Sequence, residues 1–331
     1  MAWRTGSSNT LRQKVFAHLE TMRPYTLLWC GLVSLVGASL TFGNLPPARI
    51  SILAFLIPIL GWIAGLYLAD YYDRSLDAVQ KPQRPLPSGR IRPVEALVVG
   101  AVFACIGLLL TLLLPWVTIL LVITASILVF CYAKFTKTRG LLGNFNRGAL
   151  TVVTYLFGVF SVGIPFSVIP WYTWILSLVF FFHDTNSNII GAIRDVEGDT
   201  TGGYKTTPVR YGITTALIIS VSLSLLYLLL ALGLILTTSL LPFPWRFLDL
   251  YVVGILILCC MYTLLFHARR TVTRKQALYA HELFVTERVV FASAFIVGSA
   301  QSLTVALFLC LLSLFVTLLS QHLLRERYEL T

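Results

Sequence analysis

The chain has 331 residues, of which 57% are hydrophobic and 12% are charged, and its formal net charge is +11. Soluble globular domains carry about 25% charged residues, so this composition excludes an ordinary soluble fold. The sequence has no P-loop and no GxGxxG motif, which disfavours nucleotide chemistry.

Apolar runs recur along the chain, and a run of about 20 residues can cross a bilayer as an α-helix. The runs predicted to do so are 25–43, 50–69, 96–114, 117–133, 150–166, 171–190, 214–237, 250–266 and 291–319. The last run is long and is expected to tilt. The sequence therefore predicts an all-α, polytopic membrane bundle of about nine helices. Residues 25–320 would form one transmembrane domain, between an N-terminal segment (1–24) and a C-terminal tail (321–331).

Lys and Arg residues are concentrated on one side of this layout. If the N-terminus is cytoplasmic, all but four of the 25 are cytoplasmic, the exceptions being Arg49, Arg246, Arg325 and Arg327. This asymmetry follows the positive-inside rule, so topology accounts for the positive charge and no nucleic-acid partner is expected. The prediction is a multi-pass integral membrane protein whose C-terminus lies on the side opposite the N-terminus.

Acidic residues cluster in two short segments, each at the cytoplasmic end of a predicted helix. Six of the 14 acids lie there: Asp70, Asp73, Asp77, Asp195, Glu197 and Asp199. Spacings of three and four residues place Asp70, Asp73 and Asp77 on one helix face, and a spacing of four pairs Asp195 with Asp199, so like charges repel within each segment. A divalent cation relieves this repulsion, and carboxylates are usual ligands of Mg²⁺, which in turn bridges to phosphates. We therefore predict that Mg²⁺ is the cofactor, with Asp70, Asp73, Asp77, Asp195 and Asp199 as candidate ligands.

Basic residues near these acids could neutralise the remaining phosphate charge. They are Lys81, Arg84, Lys137, Arg194, Lys205 and Arg210. A diphosphate held at the membrane edge beneath an apolar cavity suits a prenyl diphosphate, whose tail would lie among apolar and aromatic side chains.

A polar stripe continues from the second acidic segment into the membrane. Steps of four, seven and eleven residues from Asp184 reach Asn188, Gly191 and Asp195, which share one helix face with it. One interpretation is hydrogen bonding between helices, which is common in membrane bundles. The other is that Asp184 or Asn188 orients an acceptor or takes its proton.

The combined motifs resemble the UbiA-type intramembrane prenyltransferases. The residues that carry the resemblance are Asp70-x-x-Asp73-x-x-x-Asp77, Lys81-Pro82-x-Arg84-Pro85-x-Pro87-Ser88-Gly89, Arg194-Asp195-x-Glu197-Gly198-Asp199 and Tyr132-x-x-x-x-Lys137 followed by Gly140-Leu141-Leu142-Gly143-Asn144. Arg23-Pro24 before the first helix is a weaker match. One departure from the family pattern is Ala69, where the family usually has an Asn near the metal.

The resemblance implies a helical bundle around a central cavity, in which Mg²⁺ and a prenyl diphosphate join the two Asp motifs. On this basis Asp73, Asp77, Asp195 and Asp199, together with Asp184 from the polar stripe, are the candidate catalytic residues. The candidate substrate-binding residues are Arg23, Lys81, Arg84, Tyr132, Lys137, Asn144, Asn188, Arg194 and Lys205.

Three functions are compatible with these features. The leading prediction is transfer of a prenyl group from its diphosphate to a small aromatic or lipid acceptor, within the bilayer and without an obligate protein partner. The alternative is a terpene cyclase on the same scaffold, with His183 or Asp184 as terminal base. A non-enzymatic carrier is the third, although acids confined to one membrane face argue against an ion path.

Overall fold

The computed structural model describes residues 11–329, and every regular element within them is helical. The helices in chain order are α1 (Leu11–Met22), α2 (Pro24–Phe42), α3 (Ala48–Gln80), α4 (Pro93–Thr111), α5 (Val117–Cys131), α6 (Leu141–Ser161), α7 (Trp171–Arg194), α8 (Val196–Thr201), α9 (Thr207–Tyr211), α10 (Ile213–Thr237), α11 (Pro244–Ala268), α12 (Arg274–Ser299), α13 (Leu303–Ser320) and α14 (Glu326–Glu329). Short π-helical turns, Tyr132–Thr136 and Gln321–Arg325, extend α5 and α13. The predicted all-α class is confirmed.

Seven of the described helices are long and apolar enough to cross a membrane, namely α2, α3, α4, α5, α10, α11 and α13. Helices α6, α7 and α12 are of similar length, with 21, 24 and 26 residues, but they carry polar groups. Those groups point inward, as Asn144, His183 and Glu287 illustrate, since all three are buried. Polar residues of membrane helices face the bundle interior because hydrocarbon cannot solvate them. The described chain thus contains ten long helices, so the predicted number of nine is not supported.

The additional helix arises from the last apolar run, which was predicted as a single crossing. Helix α12 ends at Ser299, Ala300 is extended (φ −78°, ψ 130°), and α13 begins at Leu303. The Ser302 side chain accepts a hydrogen bond from the Val305 amide and caps the new helix. Such a side chain at the N-cap satisfies an amide that would otherwise lack a partner. The run therefore folds back on itself instead of tilting.

This reversal returns the chain to the end of the bundle that carries the acidic segments. The Glu329 carboxylate Oε2 lies 3.1 Å from Nζ of Lys81, just beyond the end of α3. The prediction that the C-terminal segment lies on the opposite side is therefore wrong, because residues 291–319 contain two helices and not one.

Close packing of α2 against α6 sets the position of the polar helices. A Cβ atom on Gly158 would overlap the Ser34 carbonyl, and one on Gly37 would overlap the Tyr155 carbonyl. Only glycine permits such backbone contact, which is a common device in membrane helix pairs. Helix α6 is thereby held beside α7, and their polar faces meet above the acidic segments.

Candidate active site

The two acidic segments meet around one polar cavity of about 250 Å³. Five carboxylates of the described chain line it: Asp73 and Asp77 at the end of α3, Asp195 and Asp199 at the α7–α8 junction, and Glu329 from the C-terminal segment. Lys81 Nζ lies 3.1 Å from Asp195 Oδ1, and the Gln80 side chain donates to the Gly198 carbonyl. Segments far apart in the chain are therefore bridged directly.

Asp70 is oriented differently from the other acids of α3. It is only 3% exposed but is not among the residues lining the cavity. Its carboxylate accepts hydrogen bonds from Arg23 and from the Tyr328 hydroxyl, the latter at 2.8 Å. Its predicted role as a metal ligand stays a prediction, and it would require these contacts to break.

Arg23 owes its position to the break between α1 and α2. The residue has φ 46°, in the left-handed region, and is followed by Pro24, whose ring disfavours right-handed helical geometry in the residue before it. The chain turns there, and the guanidinium enters the cavity lining beside Asp70.

Each remaining carboxylate of the cavity is paired with a cation or a hydroxyl. Arg84 Nη1 lies 2.9 Å from Asp77 Oδ2, and Lys137 contacts Asp73. Burial alone would lower the pKa of Lys137, but the Asp73 carboxylate raises it above its usual value. The ammonium group therefore keeps its proton at any physiological pH.

Asp199 is affected both by burial and by a neighbouring carboxylate. Burial, reinforced by the neighbouring Asp195 carboxylate, raises the pKa of Asp199 to about 6. Its Oδ2 accepts a hydrogen bond of 2.9 Å from the Thr206 hydroxyl. An additional positive charge near this pair would relieve the repulsion between the two carboxylates, which is the chemistry expected of a cation site.

Preassembled metal-ligand groups of three or more His, Cys, Asp or Glu residues are absent from the described part of the chain. Three of the carboxylates are instead engaged in ion pairs, Asp73 with Lys137, Asp77 with Arg84 and Asp195 with Lys81. Asp73, Asp77, Asp195 and Asp199 nevertheless provide, on one cavity, the oxygen donors that Mg²⁺ prefers.

A hydrogen-bonded chain connects three of the predicted substrate-binding residues. Asn144 Nδ2 donates to Asn188 Oδ1 at 2.7 Å, and Asn188 Nδ2 donates to the Tyr132 hydroxyl at 3.0 Å. All three line the cavity directly beyond the carboxylates. Arg194 also lines it, with Nε 3.1 Å from Asp195 Oδ1.

Besides Asp70, two predicted site residues lie outside the cavity lining. The Lys205 side chain is exposed and is not part of the cavity lining; its backbone amide instead donates to the Thr138 carbonyl. Asp184 is fully buried behind the cavity wall. The placement of Lys205 gives no support to its predicted contact with substrate.

Asp184 is flanked by two arginines whose charge was predicted to reflect membrane topology. Arg147 Nη2 lies 3.2 Å from Asp184 Oδ2, and Arg288 Nη2 lies 3.9 Å from Asp184 Oδ1. Both arginines line the cavity. For Arg147 a signal existed, because it lies three residues after Asn144 on α6 and so shares its face.

The segment formed by Tyr328 and Glu329, here called the tail contact, closes one wall of the cavity. Glu329 Oε2 lies 3.1 Å from Lys81 Nζ and 3.2 Å from Arg84 Nη2, and Oε1 lies 3.3 Å from Arg194 Nη1. Burial alone would raise the pKa of Glu329, but these cations hold it below its usual range. No local sequence pattern indicates this contact.

An apolar groove of about 520 Å³ adjoins the polar cavity between α3, α4, α5 and α6. The two share the residues Trp62, Gly65, Val129, Arg147 and Leu150. Arg147 marks the junction, with its guanidinium 4.2 Å from the Trp62 ring centre. A ligand with a charged head and an apolar tail therefore fits the combined space.

Comparison with known proteins gives one consistent family. A family model described as the UbiA prenyltransferase family matches residues 27–288. A digeranylgeranylglyceryl phosphate synthase of Thermococcus sibiricus is 32% identical over 198 residues, which cover 60% of this chain and 69% of the relative.

Solved structures share the fold. A UbiA homologue of Archaeoglobus fulgidus, solved with GPP and Mg²⁺ bound, is 19% identical with a TM-score of 0.64 and covers 85% of this chain and 99% of its own. The apo structure of a UbiA homologue of Aeropyrum pernix is 17% identical with a TM-score of 0.68, covering 82% and 97%.

Proposed function

The chain belongs to the UbiA prenyltransferase family, and on that premise we propose that it transfers a prenyl group from a prenyl diphosphate to the hydroxyl of a glyceryl phosphate lipid. The observation that carries this proposal is the single cavity in which two acidic segments face each other and an apolar groove begins. The relatives named digeranylgeranylglyceryl phosphate synthase favour a glyceryl phosphate acceptor over an aromatic one.

The cofactor of the proposed prenyl transfer is Mg²⁺. Asp73, Asp77, Asp195 and Asp199 would hold it. When bound, it would supply positive charge to the diphosphate, stabilising this group as it leaves.

The chain's own cations complete the neutralisation of the leaving group. Lys81, Arg84 and Lys137 stand around the same cavity, and each is already paired with a carboxylate. Fixed charges of this kind stabilise a developing anion without reorganisation at the moment of reaction.

The donor and the acceptor supply every atom and electron that the proposed transfer needs. The allylic C–O bond breaks, and its electron pair leaves with the diphosphate. The acceptor oxygen then attacks the prenyl C1, and its proton passes to a diphosphate oxygen. Asn188, at the cavity surface, is positioned to orient the acceptor hydroxyl, and the apolar groove keeps water from the cationic prenyl group.

A cyclase is less well supported by the geometry. The proposed base His183 is fully buried and stacks on Trp29, with ring centres 4.6 Å apart. Its Nε2 lies 2.9 Å from Glu287 Oε2. A histidine enclosed in this way is out of reach of a prenyl cation in the cavity.

The test uses the purified protein in lipid vesicles with Mg²⁺ and geranylgeranyl diphosphate. With geranylgeranylglyceryl phosphate as acceptor we expect a new ether lipid, detected by mass spectrometry. Without acceptor we expect only slow diphosphate hydrolysis. A cyclic hydrocarbon in the acceptor-free sample would establish the cyclase instead, and prenylation of a hydroxylated aromatic acid alone would replace the proposed acceptor.

A further inference from the structure

The pair of buried arginines beside Asp184 has more positive charge than its partner can neutralise. Arg147 is 9% exposed and Arg288 is 4% exposed, and one carboxylate lies between them. The neighbouring Glu287 does not supply the missing charge, because it is paired with His183 at 2.9 Å and also accepts from Tyr227.

Hydrogen bonding around the pair is incomplete as well. Arg288 donates to the Ser187 hydroxyl through Nη1 at 3.0 Å, whereas its Nε and Nη2 lack hydrogen-bond partners among the described residues. Buried donors without acceptors are expensive in a membrane interior, so this geometry favours a site completed by a ligand.

The surroundings define the kind of ligand. Aromatic rings lie against both guanidinium groups, with Trp62 4.2 Å from Arg147 and Trp29 4.9 Å from Arg288. These rings hold the cations at the junction of the polar cavity and the apolar groove, where Arg147 lines both. Two guanidinium groups in such a place suit a phosphate attached to an apolar chain.

We propose that Arg147 and Arg288 form an anion subsite that binds the phosphate of the acceptor, separate from the cations that face the donor diphosphate. This inference rests on the proposed function and deepens it, because it explains how one cavity distinguishes two phosphate-bearing lipids. Donor and acceptor head groups would occupy opposite ends of the cavity, with the Asn144–Asn188 pair between them.

The test measures binding as well as turnover. Arg147→Gln is expected to weaken binding of geranylgeranylglyceryl phosphate by roughly 10- to 100-fold, as for loss of a charged hydrogen bond. Binding is followed by tryptophan fluorescence, because Trp62 lies under Arg147, in the absence of Mg²⁺ and donor. The matched lipid alcohol without phosphate should bind equally to native protein and variant.

Controls separate this subsite from the proposed reaction. Arg269→Gln, an exposed arginine in the α11–α12 connection, should leave acceptor binding unchanged. Acceptor-independent hydrolysis of the donor should likewise be unchanged in Arg269→Gln. Native protein that binds the alcohol as tightly as the phosphate, or an Arg147→Gln variant that keeps the preference for the phosphate, would overturn the subsite. Failure of transfer with intact phosphate-selective binding would overturn only the proposed reaction.

A second, independent observation concerns the tail contact. The Glu329 carboxylate is surrounded by Lys81, Arg84 and Arg194, two of which face the donor diphosphate in the proposed function. Tyr328 supports it, since the Arg84 guanidinium lies 4.3 Å from its ring centre. Tyr328 and Glu329 are 1% and 3% exposed, so the contact is a buried part of the fold.

We propose that Glu329 is an internal competitor of the donor diphosphate, which must displace the tail contact to bind Lys81 and Arg84. A carboxylate carries one negative charge, whereas a diphosphate carries more and offers more acceptor oxygens, so substrate displaces it when present. Without a bound donor, Glu329 would keep Lys81 and Arg84 paired with a negative charge.

Glu329→Gln tests this competition. The variant is expected to lower KM for the prenyl diphosphate by roughly tenfold, the effect of removing one charged competitor, with kcat unchanged. Asp249→Asn, an exposed change at the start of α11, is the matched control. Hydrogen exchange of residues 321–329 should increase when inorganic pyrophosphate and Mg²⁺ are added, a readout that needs no transfer. An unchanged or raised KM, or unchanged exchange with bound pyrophosphate, would overturn the proposal.

Discussion

Replacement of Asp73 or Asp195 by Asn is expected to reduce turnover by roughly 10²- to 10³-fold, the range seen when a fixed electrostatic contact of a transition state is removed. The change keeps the shape of each side chain but removes the charge that would hold Mg²⁺. The two residues stand on opposite walls of one cavity, so each variant should also raise the Mg²⁺ concentration needed for half-maximal activity. Both quantities are measured with the same vesicle assay over a Mg²⁺ titration.

The double variant distinguishes a shared metal site from two separate effects. Groups that act as one unit are not additive, so Asp73→Asn with Asp195→Asn should lose little more than the worse single change. Glu197→Gln is the matched control, because Glu197 lies in the same acidic segment but is exposed and outside the cavity. Activity that is insensitive to chelation with EDTA would contradict the metal site, and full activity of Asp73→Asn would exclude Asp73 as a metal ligand.

The acidic site could be predicted from sequence because it is specified by residues that lie close together in the chain. Spacings of three and four residues specify the face of α3 that carries Asp73 and Asp77, and the same rule places Asn188 on the stripe leading to Asp195. Membrane burial then restricts where such a face can point.

The tail contact and the arginine pair could not be predicted because their partners are far apart in sequence. Glu329 and Lys81 are 248 positions apart, and Arg288 and Ser187 are 101 apart. The break at Ala300 also has a weak signal, since a Gln-Ser pair interrupts an apolar run without any proline. Because this break was not predicted, the residues after Ala300 were placed at the wrong end of the bundle.

The reversal of the chain at Ala300 moves Arg325 to the end of the bundle that carries most of the positive charge. Arg325 had counted as an exception to the positive-inside rule, yet it lies with the tail contact, its guanidinium 5.0 Å from the Tyr25 ring centre. This is the end of the bundle that carries the other cations. The cytoplasmic orientation of the acidic segments stays a prediction, now with one exception fewer.

Asp184→Asn is expected to destabilise the folded protein by about 3–5 kcal/mol, the usual effect of breaking a buried ion pair by removing one partner. Asp184 is the carboxylate between Arg147 and Arg288, so the variant leaves two buried guanidinium groups without a counter-charge. The measurement is thermal or denaturant unfolding of purified protein in detergent micelles. Turnover should fall together with stability. It should be restored under conditions in which the donor and Mg²⁺ stabilise the folded protein.

Combining Asp184→Asn with Arg147→Gln separates a charge partner from a proton acceptor. Removing one arginine restores the original excess of one positive charge, so the double variant should regain most of the lost stability. Arg147→Gln alone should be as stable as native protein, because it leaves Arg288 and Asp184 as a matched pair. Asp184→Asn could instead fold normally and lose turnover with unchanged affinity for the prenyl diphosphate. That result would show that Asp184 acts on the acceptor hydroxyl, and the role of the two arginines would then be to set the protonation state of its carboxylate.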